Sequence, residues 1–552
     1  KKAAKVLSDN LNISYKRVLQ ILNPKDKNTY QVELGNVGKN ISLETKKKID
    51  SYHLTGIKFT PSQSRLYPNG VFASHLIGLA ESEDKKLVGI MGLEKVFNKQ
   101  LSGRDGINNT ATDSYGVQLP GSSKKKRSVQ NGDDIYTTLD PKIQTALENL
   151  LTQKQKKFKA ASINAVVMDS HTGKIVAASQ RPTFDAQTKE GLTNVWRNTL
   201  LEDAYEPGST MKVLTVASAI NSGNYDSNAT YRSGSYVIDG STVYDWNRSG
   251  WGNITVKEGF MRSSNAVMAQ LEQKMGKKTW MSYIRKFGLL RPVGAGLGAE
   301  SSGNINYTYA FDQANTAYGQ GIDVTVIQMM QAFSAIANKG KMVKPRLVDK
   351  IVDPNTGKTV YKSKTQVVGK PITAKTSKKV LDMMEAVVYD EKGLGQDYAI
   401  DGYKIAAKTG TAQIANSNGT GYLSGSSNYI FSVVGMAPAD NPRYIMYLTV
   451  KQPKSFGNND ATKNLSTIFN PIMKKVLDSS QVNNTNPGTV KVENVVGNSV
   501  DDAKDKISKQ GLVPVVVGSG DKVEKQSVEG DQTVISGEKV LAGSEEVASA
   551  KV

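Results

Sequence analysis

The sequence predicts a multidomain α+β protein whose central domain has a mostly antiparallel sheet flanked by helices. At 552 residues the chain exceeds what one hydrophobic core usually organises. Two strand-like segments lie before residue 180 and three lie after residue 400, with a long helical and loop region between them. That order is typical of an α+β domain with an antiparallel sheet. A linker-like segment near residue 485 then precedes a further small unit.

The first 130 residues are predicted to form a separate polar domain. Helix-like apolar spacing covers residues 9–22 and 43–51, and turn-rich stretches follow. The segment 120–127, with the sequence Pro-Gly-Ser-Ser-Lys-Lys-Lys-Arg, is predicted to be an exposed loop. A change in composition near residue 131 marks the end of this domain.

Residues 131–480 are predicted to form the central domain, which opens with a helix and a hairpin. The helix should run from Pro141 to about residue 155, because proline is favoured at a helix start and apolar residues follow on one face. Residues 163–168 and 174–179 are apolar segments joined by a polar turn, which predicts two paired strands.

The central domain is predicted to end in three strands, at residues 404–414, 430–436 and 444–450. The connection at 437–442 contains two prolines, which suit a loop rather than a strand. None of these apolar runs reaches the roughly 18 to 20 residues that span a bilayer. They are therefore predicted to be strands of a water-soluble domain.

Residues 481–488 have the composition of a linker, and residues 488–545 are predicted to form a small C-terminal α+β domain. Its predicted elements are a β-rich stretch at 489–496, a helix at 499–510, and strands at 513–517 and 539–541. The net charge changes sign here, since residues 488–552 contain eight Lys and eleven Asp or Glu, a balance of −3, whereas the whole chain has +20. The positive excess therefore lies in the earlier domains, where it would attract nucleic acid, anionic lipid or an anionic cell-wall polymer.

The composition excludes several kinds of chemistry. Cysteine is absent, so the chain has no thiol nucleophile, thiolate metal site or disulfide. None of the three histidines, His53, His75 and His171, has a sequence setting that suits catalysis or metal binding. No zinc-finger, RNA-recognition or phosphate-loop spacing is found, so nucleic acid and nucleotide ligands are not favoured. A nucleophile must therefore be activated by a group other than histidine.

The first motif that carries chemistry is Ser209-Thr210-Met211-Lys212, which follows Pro207-Gly208 and precedes an apolar helical segment. The preceding turn residues place Ser209 at or near a helix N-terminus. Positions i and i+3 share a helical face, so the Lys212 amine should lie within reach of the Ser209 hydroxyl. A desolvated lysine can remove a serine proton, and the helix start supplies N–H groups for an oxyanion. Alone, this pattern occurs often by chance.

Two further motifs follow at fixed places in the chain. Ser263-Ser264-Asn265 offers a hydroxyl that can relay a proton and an amide that can hold a substrate carbonyl or orient Lys212. Lys408-Thr409-Gly410-Thr411 lies in a predicted strand, where the glycine allows close approach by a ligand. Lys408 supplies a cation for a carboxylate, and Thr409 supplies a hydroxyl. Each motif is weak alone, and only their joint occurrence is informative.

With these three motifs the sequence resembles the class B penicillin-binding proteins, most of all the 2x type of Gram-positive bacteria. The segments 205–212, 319–322 and 408–415 match that type, and residues 65–70 and 92–95 resemble its N-terminal pedestal. Residues 492–541 resemble one PASTA domain. The resemblance implies a pedestal domain over 1–130, a transpeptidase domain with the β-lactamase-like fold over 131–480 and a PASTA domain over 488–545.

The resemblance implies a D,D-transpeptidase that uses no cofactor and no metal. Ser209 would attack the D-Ala-D-Ala carbonyl of a peptidoglycan stem peptide, and an amine of a neighbouring stem would accept the acyl group. β-Lactams would acylate Ser209 because they mimic the D-Ala-D-Ala terminus. The implied catalytic residues are Ser209, Lys212, Ser263 and Asn265, the implied oxyanion hole is the N–H groups of Ser209 and Thr411, and the implied substrate-binding residues are Lys408, Thr409, Gly410, Gln413 and Trp246. Trp246 would line the cleft entrance, with a core aromatic as the other interpretation.

The resemblance also implies where the protein acts and which partners it has. Members of the family act on the extracellular face of the bacterial cell membrane through a single N-terminal anchor, in septal wall synthesis during cell division. They are expected to work with a membrane glycosyltransferase, and no nucleic acid partner is expected. Neither the anchor nor the family motif RGxIxDRxG occurs in this sequence, and one PASTA unit is found where two are usual. We therefore expect a truncated chain.

Three other interpretations are open at this point. A serine β-lactamase or D,D-carboxypeptidase would share the motifs but transfer the acyl group to water, although it would not need the pedestal and the PASTA-like unit. A non-catalytic receptor could bind muropeptides or antibiotics with the same fold. A basic polymer-binding structural protein would leave Ser209 dispensable and would not bind β-lactams.

Overall fold

The computed structural model describes the chain in most of its length. The residues outside the description are 27, 40, 42, 61–63, 69, 84–85, 110–124, 417–420, 457–460, 481–489, 511–512, 518–519, 527–532, 535–538 and 544–552. Within the described part of the chain, no helix is both long enough and apolar enough to cross a membrane.

The region before residue 140 consists of short helices and short strands. Its elements are α1 Lys2–Asn10, α2 Tyr15–Leu22, α3 Leu43–Asp50, α4 Ser74–Ile77, β1 Leu79–Glu83, β2 Lys86–Met91, α5 Gly92–Val96, α6 Asn98–Leu101, β3 Ile107–Asn109, β4 Lys125–Arg127 and β5 Asp134–Thr137. The pairs β1–β2 and β3–β4 are antiparallel ladders. The prediction of a loop over 120–127 is therefore wrong at Lys125–Arg127, and residues 120–124 lie outside the described residues.

The prediction of one helix over 9–22 is wrong as well. The first helix ends at Asn10 and the second begins at Tyr15. Ser14 explains the restart, since its hydroxyl accepts a hydrogen bond from the Arg17 N–H at 3.4 Å and so caps the second helix. Apolar periodicity alone does not reveal this break, because both helices present apolar residues to one small core.

The central region contains most of the regular structure. Its elements are α7 Pro141–Phe158, β6 Ser162–Asp169, β7 Ile175–Arg181, α8 Lys212–Asn221, β8 Thr230–Arg232, β9 Ser235–Ile238, β10 Ser241–Tyr244, β11 Asn253–Thr255, α9 Val256–Met261, α10 Asn265–Met275, α11 Lys277–Lys286, β12 Asn304–Ile305, α12 Ala310–Thr316, β13 Ile322–Asp323, α13 Val326–Ala337, β14 Met342–Val343, β15 Val348–Asp353, β16 Lys358–Lys362, β17 Val367–Gly369, α14 Ala374–Tyr389, β18 Ala406–Gln413, β19 Tyr429–Ala437, β20 Tyr444–Lys451 and α15 Ala461–Ser479. The predicted first helix of this region is confirmed and extends to Phe158, where Lys159 ends it in the left-handed conformation.

A five-stranded sheet joins the beginning and the end of this region. Its strand order is β18-β19-β20-β6-β7, and every neighbouring pair is antiparallel. The predicted strands and the predicted antiparallel sheet are therefore confirmed. Strand β18 lies at the edge of the sheet, so one side of its backbone is open to another strand or a ligand.

The two faces of the sheet enter two different hydrophobic cores. Val166 and Met168 belong to one core, and Ala165 and Val167 belong to the other, as expected for alternate residues of a strand. Helices α8, α10, α13 and α14 contribute to the first core, and α7 and α15 contribute to the second. Because both faces are covered, the three inner strands β19, β20 and β6 are mostly apolar instead of alternating.

The C-terminal region forms a small α+β unit with a core of its own. Its elements are β21 Val490–Lys491, α16 Val500–Lys509, β22 Val513–Val517, β23 Lys525–Gln526, β24 Thr533–Val534 and β25 Lys539–Gly543. The core contains Val492, Val495, Ala503, Ile507 and Val523. The predicted helix and the last two predicted strands are confirmed, whereas the β-rich stretch forms a strand only at its start. The predicted linker, 481–488, lies outside the described residues.

The packing of α15 on the sheet yields a testable prediction. A Cβ atom at Gly435 of β19 would come within 2.1 Å of the Phe469 ring of α15. We expect Gly435→Ala to lower the melting temperature by several degrees, since overpacking a core costs about 1–3 kcal/mol. Adding Phe469→Leu should restore part of the loss, because the smaller side chain leaves room for the new methyl group. Thermal unfolding followed by circular dichroism measures both variants, and an unchanged melting temperature for Gly435→Ala would contradict the prediction.

Candidate active site

The turn that contains Ser209 packs closely against strand β18. A single 3₁₀ turn over Gly208–Met211 leads directly into helix α8, so Ser209 lies at a helix start as predicted. Gly208 has a φ of +56°, and a Cβ atom there would meet the Thr411 carbonyl oxygen at 2.7 Å. A Cβ atom at Gly410 would come within 3.0 Å of Thr210. Both glycines therefore permit the close contact between the turn and the strand.

Lys212 is completely buried and joins the first motif to the second. Its Nζ donates to the Ser263 carbonyl oxygen at 2.7 Å and to Asn265 Oδ1 at 2.7 Å, and lies 3.3 Å from Ser263 Oγ. A neutral amine has two N–H bonds, which these two acceptors occupy, and its lone pair stays available for a hydroxyl proton. Burial lowers the pKa of Lys212 well below its ordinary value, the charge of Lys408 lowers it further, and Asp245 raises it. Lys212 is therefore suited to accept a proton.

Lys408 joins the third motif to the second. Its Nζ donates to Ser263 Oγ at 2.8 Å and to the Thr409 carbonyl oxygen at 2.9 Å. Burial lowers the pKa of Lys408 to about 7. The Ser263 hydroxyl thus lies between two amines, where it accepts from Lys408 and can donate to Lys212. The side chains of β18 that are open to solvent are those of exposed Thr411 and of half-buried Thr409 and Gln413.

The three motifs predicted to act together meet in this network, although one predicted contact is not formed. Among the described residues, the Ser209 hydroxyl has no hydrogen-bond partner, and Lys212 contacts the second motif instead. Catalytic hydrogen bonds often form only when a substrate is bound. Within the described part of the chain, no group of three or more His, Cys, Asp or Glu residues is arranged to hold a metal ion.

Trp246 lies on an exposed aromatic surface beside the second motif. It is 64% exposed, so the core interpretation of this residue is wrong. Its Nε1 donates to the Arg262 carbonyl oxygen at 3.0 Å, and its ring packs edge-on against Trp251 with the centroids 5.5 Å apart. The neighbouring Tyr244 carbonyl accepts a hydrogen bond from Asn265 Nδ2 at 2.9 Å. Trp246 therefore lies beside the motif at Ser263.

Asp245 holds the second motif in place, and the sequence analysis did not identify it. Its Oδ1 accepts hydrogen bonds from the Asn265 N–H at 2.7 Å, the Ala266 N–H at 2.9 Å and the Ser264 hydroxyl at 2.8 Å. Its Oδ2 accepts from the Gly234 N–H at 2.8 Å. The carboxylate therefore occupies the N-terminus of α10, where free N–H groups favour a negative charge. Nothing in the local sequence indicates these contacts.

Glu206 is a second residue that the sequence analysis did not identify, although it lies three positions before Ser209. Its Oε1 accepts hydrogen bonds from the Gly321 N–H at 2.8 Å and the Tyr422 hydroxyl at 3.2 Å. Its Oε2 is buried and has no hydrogen-bond partner among the described residues. Burial raises the pKa of Glu206 to about 7. Gln413 is the last residue of β18, and its Oε1 accepts a hydrogen bond from Gln320 Nε2 at 3.1 Å.

Three family models match successive parts of the chain. The penicillin binding protein transpeptidase domain matches residues 163–474, the penicillin-binding protein dimerisation domain matches residues 1–137, and the PASTA domain matches residues 490–541. These matches agree with the fold class that the sequence predicts.

Similar proteins are found among curated sequences and solved structures. Stage V sporulation protein D of Bacillus subtilis (strain 168) is 32% identical over 561 residues, which cover 98% of this chain and 84% of that protein. Peptidoglycan D,D-transpeptidase FtsI of Escherichia coli (strain K12) is 27% identical over 482 residues, covering 87% and 77%. The crystal structure of penicillin binding protein 2X from Streptococcus thermophilus has a TM-score of 0.71 and 32% identity, and the match covers 99% of this chain and 84% of that one.

The buried carboxyl of Glu206 predicts a pH-dependent stability. Its pKa is raised from 4.5 to about 7, so the folded state binds the proton more tightly, and stability is lost as the pH rises through this interval. Glu206→Gln keeps the acceptor for Gly321 and Tyr422 but carries no charge. We expect this variant to melt near the parent at pH 5 and several degrees above it at pH 8, by scanning calorimetry. A difference that is equal at both pH values would contradict the prediction.

Proposed function

Because the chain belongs to the penicillin-binding protein transpeptidase family, as a class B member with a C-terminal PASTA domain, we propose that it cross-links peptidoglycan through an acyl-enzyme on Ser209. As a member of this family it is a peptidoglycan D,D-transpeptidase. The observation that carries the proposed mechanism is the network in which Lys212 and Lys408 share the Ser263 hydroxyl beside the Ser209 turn. A serine can be activated by a desolvated amine without any histidine.

In the first half of the proposed reaction, Ser209 Oγ attacks the carbonyl carbon between the two D-Ala residues of a stem peptide. Neutral Lys212 takes the hydroxyl proton as the C–O bond forms. The C–N bond then breaks, and the departing D-Ala amine receives the proton from Lys212 through the Ser263 hydroxyl. Lys212 is neutral again, and the stem peptide remains attached to Ser209 as an ester.

In the second half, the amine of a neighbouring stem peptide attacks the ester carbonyl. Lys212 takes a proton from this amine, a new C–N bond forms, and the C–O bond to Ser209 breaks. The proton on Lys212 returns to Ser209 Oγ, which restores the free enzyme. The two halves therefore need the same base in the same protonation state, and the low pKa of Lys212 supports this cycle.

The substrate is proposed to bind along the open edge of β18, where an extended peptide can add as a further strand. The N–H groups of Ser209 and Thr411 would stabilise the oxyanion, since Ser209 lies in the first turn of a helical segment with unpaired N–H groups. Thr409 and the charge of Lys408 would hold the terminal carboxylate. Gly410 would allow the peptide to approach the strand closely, and Gln413 and Trp246 would line the ends of the cleft.

We also propose that β-lactams acylate Ser209 and that the enzyme acts in septal wall synthesis. Structures of penicillin binding protein 3 from Mycobacterium tuberculosis, which is 28% identical to this chain, contain aztreonam and ampicillin. The enzyme would be held at the extracellular face of the bacterial membrane by an N-terminal anchor and would work with a membrane glycosyltransferase. The similarity to E. coli FtsI, a peptidoglycan D,D-transpeptidase, supports the cross-linking reaction, and the septal role rests on the family resemblance of the sequence.

The similarity to stage V sporulation protein D supports a second role, in sporulation. A fluorescent fusion of the full-length protein distinguishes the two. Localisation at the septum of growing cells supports the role in division, and localisation at the forespore alone overturns it.

Covalent labelling tests the proposed nucleophile. Incubation with penicillin should add one adduct to the intact mass of the chain, and peptide mapping should place it on Ser209. Ser209→Ala should abolish labelling and leave the melting temperature unchanged, because a half-buried serine without a hydrogen-bond partner among the described residues contributes little to stability. Ser241→Ala, at an exposed serine, is the matched control and should label like the parent. An adduct elsewhere, or none, would overturn the assignment.

Substitution of Lys212 tests the proposed base. Lys212→Arg keeps a positive charge but cannot become neutral, so acylation by penicillin should slow by about 100-fold or more. The parent should acylate more slowly as the pH falls, because protonated Lys212 cannot act as a base, and the variant should lack this dependence. Stopped-flow or gel-based labelling at several pH values measures both rates. A variant that acylates at nearly the parental rate would show that Lys212 acts only through its charge.

A further inference from the structure

A basic pocket lies on helix α11, and none of the residues assigned to the active site lines it. Its volume is about 930 Å³. We call it the α11 pocket. Its lining includes six cationic side chains and no acidic one: Lys277, Lys278, Arg285, Lys286, Arg291 and Lys370.

Helix α11 supplies four of the six cations, and Arg291 and Lys370 come from other segments. Trp280, Tyr283 and Ile284 are buried in the first core. The positions 277, 278, 281, 282 and 285 have the spacing of the opposite face, and all of them line the pocket. The helix contains no acidic residue. The cations on this face therefore have no partner one turn away.

This lack of ion pairs contrasts with other helices of the same chain. Lys46–Asp50, Lys378–Asp382 and Lys474–Asp478 are ion pairs between positions i and i+4. None of the six pocket cations makes an ion pair with any residue that the structure describes. Like charges that line one pocket repel each other. A bound anion would offset this repulsion.

We propose that the α11 pocket binds a phosphodiester-linked anionic polymer of the cell wall. This proposal rests on the proposed function in one respect. An enzyme that acts on peptidoglycan works inside the cell wall, where it would meet such a polymer. Two arginines offer planar guanidinium groups that match phosphate oxygens, and four lysines add point charges. Six cations in one pocket match a ligand with several regularly spaced charges better than a single carboxylate.

The shape and lining of the pocket favour such a polymer over a membrane or a nucleic acid. A flexible polymer can enter the pocket and place several phosphates against its cations, whereas a planar lipid surface contacts mainly the rim. Nucleic acids are held by exposed aromatic rings that stack on bases as well as by cations. Tyr307 is the one aromatic ring in the lining, and it is half-buried with its hydroxyl bonded to the Lys277 carbonyl oxygen at 2.8 Å.

Binding of a poly(glycerol phosphate) oligomer to the full chain tests the proposal. Titration calorimetry compares the parent with the triple variant Lys278→Gln, Arg285→Gln, Arg291→Gln. The matched control, Lys16→Gln, Lys156→Gln, Lys157→Gln, removes the same charge from exposed lysines outside the pocket. We expect the pocket variant to bind about tenfold more weakly or worse and to show a smaller salt dependence, because fewer counterions are released. The control should change binding by less than about twofold. Equal losses in both variants, or no binding to the parent at low salt, would overturn the proposal.

Three other probes separate the proposed polymer from other anions. Polyglutamate of equal charge presents carboxylates, whereas vesicles that contain phosphatidylglycerol and a single-stranded DNA oligomer present phosphodiesters on a lipid surface and on a nucleic acid. Weaker binding of all three supports the proposal, and tighter binding of any one overturns it. Arg285→Gln alone, at an exposed side chain, should give part of the loss and guards against misfolding of the triple variant. Penicillin labelling of Ser209 is measured in the same samples and should stay at the parental rate. A failure to bind the oligomer therefore counts against the pocket and not against the acyl-enzyme.

Discussion

The site depends on two buried lysines that share one serine hydroxyl. Moving an ammonium group out of water is unfavourable, and a second positive charge nearby makes it more so. Lys212 and Lys408 are both fully buried, and Ser263 Oγ lies within hydrogen-bond distance of each. The two amines therefore titrate as a coupled pair, and the protein favours a state in which at least one of them is neutral. This constraint supplies a base near neutral pH in a site without histidine.

The fold stabilises this unfavourable arrangement because its three residues lie on or next to three different secondary-structure elements. Lys212 begins helix α8, Lys408 lies on edge strand β18, and Ser263 precedes helix α10, whose N-terminus Asp245 binds. Ser263 itself adopts a φ of +56°, which non-glycine residues rarely adopt. Backbone strain at such a position persists only where the surroundings determine it. The carboxylate of Asp245 provides that support without contacting either amine, so the site combines a strained serine with a rigid helix start.

The sequence reveals those parts of the site that local spacing encodes. The pattern around Ser209 predicts the helix start, and the apolar runs predict the strands, because each depends on neighbours within a few positions. The contacts of Asp245 and Glu206 cross at least 11 and 115 residues, and local patterns contain no information about them. The burial and the hydrogen bonds of Lys408 could not be predicted from local sequence patterns either. The sequence suggests a cation for a carboxylate ligand, and the structure adds that this amine is buried and donates to Ser263 and to the backbone.

Lysine has different roles in the active site and in the α11 pocket, and the difference follows from how deeply each lysine is buried. Lysines inside the core lose water, their pKa values fall, and they become able to take up a proton. Lys277 and Lys278 on α11 are exposed to water and can attract an anion over a distance. A net charge of +20 combines both populations, so it indicates neither catalysis nor polyanion binding by itself. Only the structure separates buried Lys212, whose pKa is lowered, from the exposed lysines of the α11 pocket.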